Sequence, residues 1–239
     1  MINLCFFESE DDMLWLRLDG KLFSLENDLC VGLSYIMPGR SGRFNSIEHN
    51  LFDRLAEYIA VIHNHTNGQY TILLSGDFNS RTSVNPDYID FGTSGEFLSL
   101  PDDYTAGRVR PHVLQDSGHT NNNGIALLEL CKQTGLRVLN GRCDQDAGIG
   151  KYSFVGSRGC SLVDYVLASE PIFDFITSFK VHDPNSLSDH CLIEYMFENT
   201  CTLGKRDAHS TDVNGSPVNC KYKWKPEPLN KWTEFRRLY

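Results

Sequence analysis

The chain has 239 residues, 41% of them hydrophobic and 22% charged, within the range of folded globular proteins and outside that of disordered or fibrous ones. Its net charge of −9 is the reverse of the basic footprint of a passive nucleic-acid coat, and no run approaches the ~18 apolar residues that span a bilayer. The eight cysteines (5, 30, 131, 143, 160, 191, 201 and 220) form no C-x-x-C pair and follow no secretory leader, so reduced thiols in an intracellular setting are expected.

Leu14–Leu18 alternates apolar and polar, Asp19-Gly20 supplies a turn, and Leu22–Leu25 answers it, which predicts a hairpin. A third strand is expected at Leu29–Ile36, ended by Pro38-Gly39. The period then changes. Ile47, Leu51, Leu55, Tyr58, Ile59 and Ile62 recur at three and four, and Asn45 with Glu48 resembles a capping box, predicting a helix over Asn45–His63. Tyr70–Leu74 is a short apolar run with a β-branched centre, expected as a strand buried on both faces that ends at Ser75-Gly76-Asp77. Residues 80–120, rich in Asp, Gly, Ser, Thr and Pro, read as a long surface excursion.

Asn122 is expected to cap a second helix, Gly124–Thr134, with Ile125, Leu128 and Cys131 on one face and Gly135 as its stop. Further strands are predicted at Leu136–Leu139, Tyr152–Val155, Leu162–Ala168, Phe175–Val181 and Leu192–Phe197. Periodicity stops beyond Asn199. Cys201–Asn219 reads as linker and Lys221–Tyr239 as a basic, aromatic end. From Leu203 onward eight Lys/Arg face four Asp/Glu, which leaves about −13 on the rest of the chain. The alternation of strands and helices predicts an α/β sandwich of two packed sheets flanked by helices.

Four polar clusters follow or interrupt apolar strands: Tyr35 in LSYIMP, Asp77 and Asn79 in LLSGDFN, Asp164 in LVDYVL, and Ser188-Asp189-His190 in LSDHCL. Gly-Asp-x-Asn after a strand is commonly turn chemistry alone, with Asp and Asn bonding their own backbone. Asp164 is different, because an ionised carboxylate inside an apolar strand needs a cation or strong donors. His190 is the natural partner, since a carboxylate bonded to an imidazole fixes its tautomer and favours its charge. Together these groups suit metal-assisted phosphodiester hydrolysis: carboxylates for a cation and for the proton of water, and donors for the developing phosphorane charge. A Gly-x-Ser-x-Gly elbow, a P-loop and a G-x-G-x-x-G are all absent.

GDFN at 76–79, SLVDYVLAS at 161–169 and SDH at 188–190, in that order, resemble the endonuclease/exonuclease/phosphatase superfamily. GDFNSRTS, NNNGIALLELCKQTGLRVLNGR at 121–142 and GIGKYSFVGSRGCSLVDYVLAS at 148–169 are most similar to the target-nicking domains of non-LTR retrotransposons, over roughly Leu14 to Phe197. The resemblance implies that Asp77 positions and deprotonates the attacking water and that Asn79 holds the phosphate or that water. Tyr35 would contact the scissile phosphate, and His190, steadied by Asp164, would donate to a phosphoryl oxygen. Asp189 would help to hold Mg²⁺ or Mn²⁺, directly or through water. Ser153, in KYSF, matches a position often filled by Thr or Ser beside the DNA-facing surface. Arg40, Arg43, Arg81 and Arg158 lie on loops near these strand ends and could meet DNA phosphates, although any single surface Arg is more often a solvated charge.

The implied fold is a four-layer α/β sandwich over 1–199, followed by a basic linker and tail over 200–239. The family also brings an opening segment with a metal-site Asn and Glu; Asn3 and Glu8 cannot supply them and read as edge-of-sheet polar residues, and Pro38 stands where an Asn is frequent. The expectation is therefore a domain missing its first strands. Three functions stay open: a metal-dependent DNA endonuclease of retrotransposon type, a catalytically inactive fragment that binds nucleic acid weakly through its tail, and a phosphatase or phosphodiesterase of the same superfamily. DNA is the expected partner, the nucleus is a compatible location, and no membrane or protein partner is implied.

Overall fold

A computed structural model of the chain describes residues 5–10, 12–23, 25–38, 51–66, 70–89 and 112–197. Arg40, Arg43, the Asn45/Glu48 capping box and the linker and tail lie outside the described residues. The regular elements are β1 (Cys5–Glu10), β2 (Met13–Leu18), β3 (Leu29–Tyr35), α1 (Leu51–His65), β4 (Thr71–Asp77), α2 (Asn122–Thr134), β5 (Arg137–Val138), β6 (Phe154–Gly156), β7 (Gly159–Ser161), β8 (Asp164–Ala168), β9 (Ile176–Val181) and β10 (Ile193–Phe197). Six strands form one mixed sheet in the order β1-β2-β3-β4-β8-β5; β9 and β10 form a two-stranded sheet, and β6 and β7 a second one. β1, which contains Glu8, is an edge strand of the larger sheet. Among the described residues no helix is long and apolar enough to cross a membrane.

The sheet is covered on both faces. Leu55 and Ile59 of α1, with Leu127, Leu130 and Cys131 of α2, pack against Trp15, Ile72, Leu74 and Leu167. On the opposite face Leu29, Leu73, Val166 and Ala168 meet Phe179 and Val181 of β9 and the Tyr195 and Phe197 rings of β10. The described residues thus build an α/β sandwich of three layers: helices, six-stranded sheet, two-stranded sheet. Alternate residues of β4 enter opposite cores, which is why its sequence is continuously apolar. Each fully buried Leu or Ile contributes about 1.5–3 kcal/mol of burial.

Several local expectations are corrected. β2 pairs with β3, not with Leu22–Leu25, and Gly20–Phe23 is a short 3₁₀ turn. The Asp28 carboxylate stabilises that turn by accepting from Gly20 N–H and from Arg17, while Leu25 sinks into the second core. β4 ends at Asp77, as expected from Ser75-Gly76-Asp77. The cap of α2 is Asn121, whose side chain accepts from Gly124 N–H at 2.7 Å, and Ile125 is 53% exposed while Leu127 and Leu130 face the core. Gly135 ends α2 in the left-handed conformation (φ +75°), with its N–H donating to Cys131 O.

Residues 80–120 are described over 80–89 and 112–121. There the surface is kept by exposed residues at 84–86, 113, 115 and 117–119, while polar side chains whose burial the composition does not reveal lie beneath it: Ser80, Thr82, Ser83, Asp87 and Asp116 are all buried. Asp87 accepts from Arg142 at 2.5 and 2.7 Å and from Val138 N–H at 2.8 Å. Thr82 bonds the Tyr165 hydroxyl, and Asp116 accepts from Leu162 N–H and from Arg81. Burial alone would raise the Asp87 pKa, but the hydrogen bonds and charge of Arg142 hold it below the ordinary carboxylate value. The Asp87 and Asp116 carboxylates are satisfied by partners inside the fold, although the composition around them is that of a solvated loop.

Candidate active site

Strand register assembles the site. β3 and β4 run parallel with Tyr35 opposite Asp77, and β4 and β8 run antiparallel with Asp77 opposite Asp164. Directly opposed residues of an antiparallel pair share a face, so the two carboxylates stand side by side at one end of the sheet. His190 reaches them from the loop before β10. That loop is pinned to β6: Phe154 and His190 form an isolated bridge, Val155 N–H donates to Asp189 O, and Cys191 N–H donates to Ser153 O. The His190 ring packs edge-on against Phe154, with centroids 5.2 Å apart, and its Nδ1 lies 2.9 and 3.1 Å from the two Asp164 oxygens. An ionised carboxylate only accepts, so it is Nδ1–H that donates to Asp164.

The GDFN segment is held from three directions. Gly76 lies against β3 so closely that a Cβ there would sit 1.8 Å from Ser34 O, which only glycine avoids. Asn79 occupies the left-handed region (φ +46°); its N–H and Nδ2 donate to the Asp77 carboxylate at 2.9 and 3.1 Å, and Nδ2 also donates to Ile36 O. The turn chemistry that the motif suggests is therefore present, and it orients Asp77 as well. Asn121 Nδ2 donates to Asn79 O, and the buried Asn123 donates to Met37 O and Phe78 O, tying the start of α2 to both loops. Neither asparagine was singled out for this role; three consecutive asparagines before an apolar helix are the signal that pointed to it.

Electrostatics separate the two titrating groups. Burial raises the Asp77 pKa and the Asp164 charge adds to that, against the bonds from Asn79 and the charge of His190. For His190, burial favours the neutral ring, but its hydrogen bond to Asp164 and the charges of Asp164, Asp77 and Asp189 outweigh burial and raise the pKa. Both shifts are upward from the ordinary values, that of Asp77 chiefly through burial and that of His190 through its carboxylate neighbours.

Of the residues singled out from sequence, the structure brings together Asp77, Asn79, Asp164 and His190. Tyr35 ends β3 beside Asp77 in register and is 47% exposed. The Asp189 side chain is exposed, outside the group formed by Asp77, Asp164 and His190, whose ligand atoms all lie within 4.8 Å of one another. Arg158 is exposed at the turn between β6 and β7. Arg81 is committed to Asp116 in an ion pair. Two carboxylates fit Mg²⁺, which is usually held by one or two carboxylates with waters and substrate phosphate completing the shell. Asp77 and Asp164 would supply those oxygens, a donor set that suits hard divalent cations in general.

No family model matches the chain, and no curated protein matches it. Solved structures do. The endonuclease domain of TRAS1, a telomere-specific non-LTR retrotransposon, matches with a TM-score of 0.50 at 13% identity, covering 83% of this chain and 68% of that one. The AP endonuclease LMAP from Leishmania major matches with a TM-score of 0.51 at 13% identity, covering 80% of this chain and 56% of its own. At these identities what is shared is the fold.

Proposed function

We propose that this chain, which has the endonuclease/exonuclease/phosphatase fold, hydrolyses phosphodiester bonds of DNA with a divalent cation, as an endonuclease of the non-LTR retrotransposon type. The observation that carries the reading is the meeting of Asp77, Asp164 and His190 at one sheet end, with Asn79 bonded to Asp77. Asp77, its pKa raised by burial, accepts the proton of the attacking water. His190, charged and oriented by Asp164, donates to a phosphoryl oxygen as negative charge develops. Tyr35, exposed beside Asp77, contacts the phosphate. The Asp77 and Asp164 oxygens, with Asp189 acting through water, would hold Mg²⁺ or Mn²⁺, which when bound would supply charge neutralisation at the phosphate.

DNA is favoured as the substrate by the retrotransposon-like stretches around each motif and by the shared fold with the two endonucleases described above. In this reading residues 1–199 are the catalytic domain, and the basic tail over 200–239, with Arg158, Arg40 and Arg43, draws the acidic body to the backbone, in the nucleus. Relaxation of supercoiled plasmid tests it. The wild-type chain nicks in Mg²⁺ or Mn²⁺ and stops in EDTA, and Asp77→Asn and His190→Ala fall by 10²-fold or more, the usual scale of a lost acid or base. A wild-type rate no higher than those of the variants overturns the proposal in favour of a non-catalytic nucleic-acid-binding protein. Activity on a phosphomonoester with none on plasmid moves the substrate to the phosphatase branch.

A further inference from the structure

Asp164 and His190 lie 26 residues apart, on a strand and on a loop that share no regular pairing, and the geometry of their contact must be set by something that holds both. Ser153 touches both. It is fully buried, and its hydroxyl oxygen accepts from Val163 N–H at 3.0 Å and from Asp164 N–H at 2.9 Å. Those two amides belong to the first residue of β8, which lies opposite Asp77 in the β4–β8 ladder, and to the residue before it. The Ser153 main chain works on the other side: its carbonyl accepts from Cys191 N–H at 2.7 Å, and its N–H donates to Ser161 O at 3.1 Å. The next residue, Phe154, bridges His190 and packs on its ring. One residue therefore bonds the segment immediately before and at Asp164, the segment immediately after His190, and the hairpin that backs the imidazole.

We propose that Ser153 is a positioning residue for the Asp164–His190 pair, its hydroxyl setting the start of the strand that carries the carboxylate against the loop that carries the imidazole. The inference rests on the phosphodiesterase reading for its catalytic consequence only; the contact it sets is a property of the fold. A hydroxyl is needed because one atom must accept two main-chain N–H groups inside a closed space. Alanine removes the acceptor, leaves two buried donors unserved, and frees the end of β8 to move away from the loop. Threonine keeps the oxygen.

The test uses the whole chain and two independent readouts. First, an imidazole N–H bonded to a carboxylate gives a low-field proton resonance, identified here by its loss in His190→Ala. The resonance is expected in the wild type and in Ser153→Thr, and absent or broadened in Ser153→Ala, with the far-UV circular dichroism of all three alike. Second, Ser153→Ala lowers the kcat of plasmid nicking roughly tenfold or more with KM little changed, Ser153→Thr restores it, and Ser153→Ala adds nothing in a His190→Ala background. Should Ser153→Ala not fold, Ser153→Cys takes its place, since a thiol keeps most of the volume and is a weak acceptor. A folded Ala or Cys variant that keeps the wild-type resonance overturns the proposal whether or not the protein nicks. Absence of nicking in the wild type, with the resonance behaving as stated, removes the catalytic reading and leaves the positioning role standing.

Discussion

Replacing Asp87 by alanine should destabilise the protein more than any change at its exposed surface. The Arg142 guanidinium is 2% exposed and faces an Asp87 carboxylate that is fully buried. Truncation deletes two Arg142 bonds and the acceptor for Val138 N–H, leaving a buried cation with Val138 O and His112 among its remaining partners. Breaking a buried ion pair from one side costs about 3–5 kcal/mol. Against a typical domain stability of about 5–15 kcal/mol, that is a large fraction. With a urea m value of about 2–3 kcal/mol/M, the midpoint falls by roughly 1–2 M, read by far-UV circular dichroism. The paired replacement Asp87→Leu with Arg142→Met should recover most of the loss, because both charges leave the interior together. A loss below about 1 kcal/mol for Asp87→Ala, the scale of a surface substitution, would refute the reasoning and return residues 80–89 to a solvated loop.

The same cluster predicts a pH dependence. Burial, then the Arg142 charge, holds the His112 pKa down at about 4, against an unfolded value of 6.5. The folded state therefore takes up its proton later than the unfolded one, so the stabilisation is complete above pH 6.5 and lost as pH falls towards 4. Its size is on the order of 3 kcal/mol, and urea titrations at several pH values should show that slope flattened in His112→Phe. In nicking assays kcat/KM should rise through the raised Asp77 pKa and fall through the raised His190 pKa. Asp164→Asn should shift the falling limb to lower pH and slow the reaction about 10- to 100-fold, the equivalent of one charge-assisted hydrogen bond; an unmoved limb would sink that assignment. Arg158→Glu should weaken DNA binding and reduce the salt slope by about 1, whereas Arg81→Glu should act through stability, because Arg81 is already paired with Asp116. Equal salt slopes for the two variants would contradict that distinction.

Short-range pattern carried much of the architecture. The apolar spacing of Leu51, Leu55, Ile59 and Ile62 marks α1, the uninterrupted run in β4 marks a strand with a core on either side, and the order of GDFN, SLVDY and SDH marks the superfamily fold. Where the reading failed, the deciding contacts were remote. Leu22–Leu25 looks like the answer to Leu14–Leu18, but β3 offers a longer apolar partner and wins the pairing. Asp87 and Asp116 sit among Ser, Thr and Asn in a stretch whose composition is that of a solvated loop. Their partners, Arg142 and Leu162, are 55 and 46 residues away.

By itself, then, the sequence determined the presence of both helices and of most strands, and which polar residues end the apolar runs, because those properties follow from local periodicity and from what a buried strand excludes. Only the tertiary structure decided that Asp77 and Asp164 are directly opposed, that Ser153 serves both sides of the Asp164–His190 contact, and that the Asp87 and Asp116 carboxylates are buried. The physical reason is that register and burial are set by contacts between distant parts of the chain. A side chain's chemistry can be named from its letter, whereas its neighbours, and hence its charge state and its use, exist only once the chain has folded.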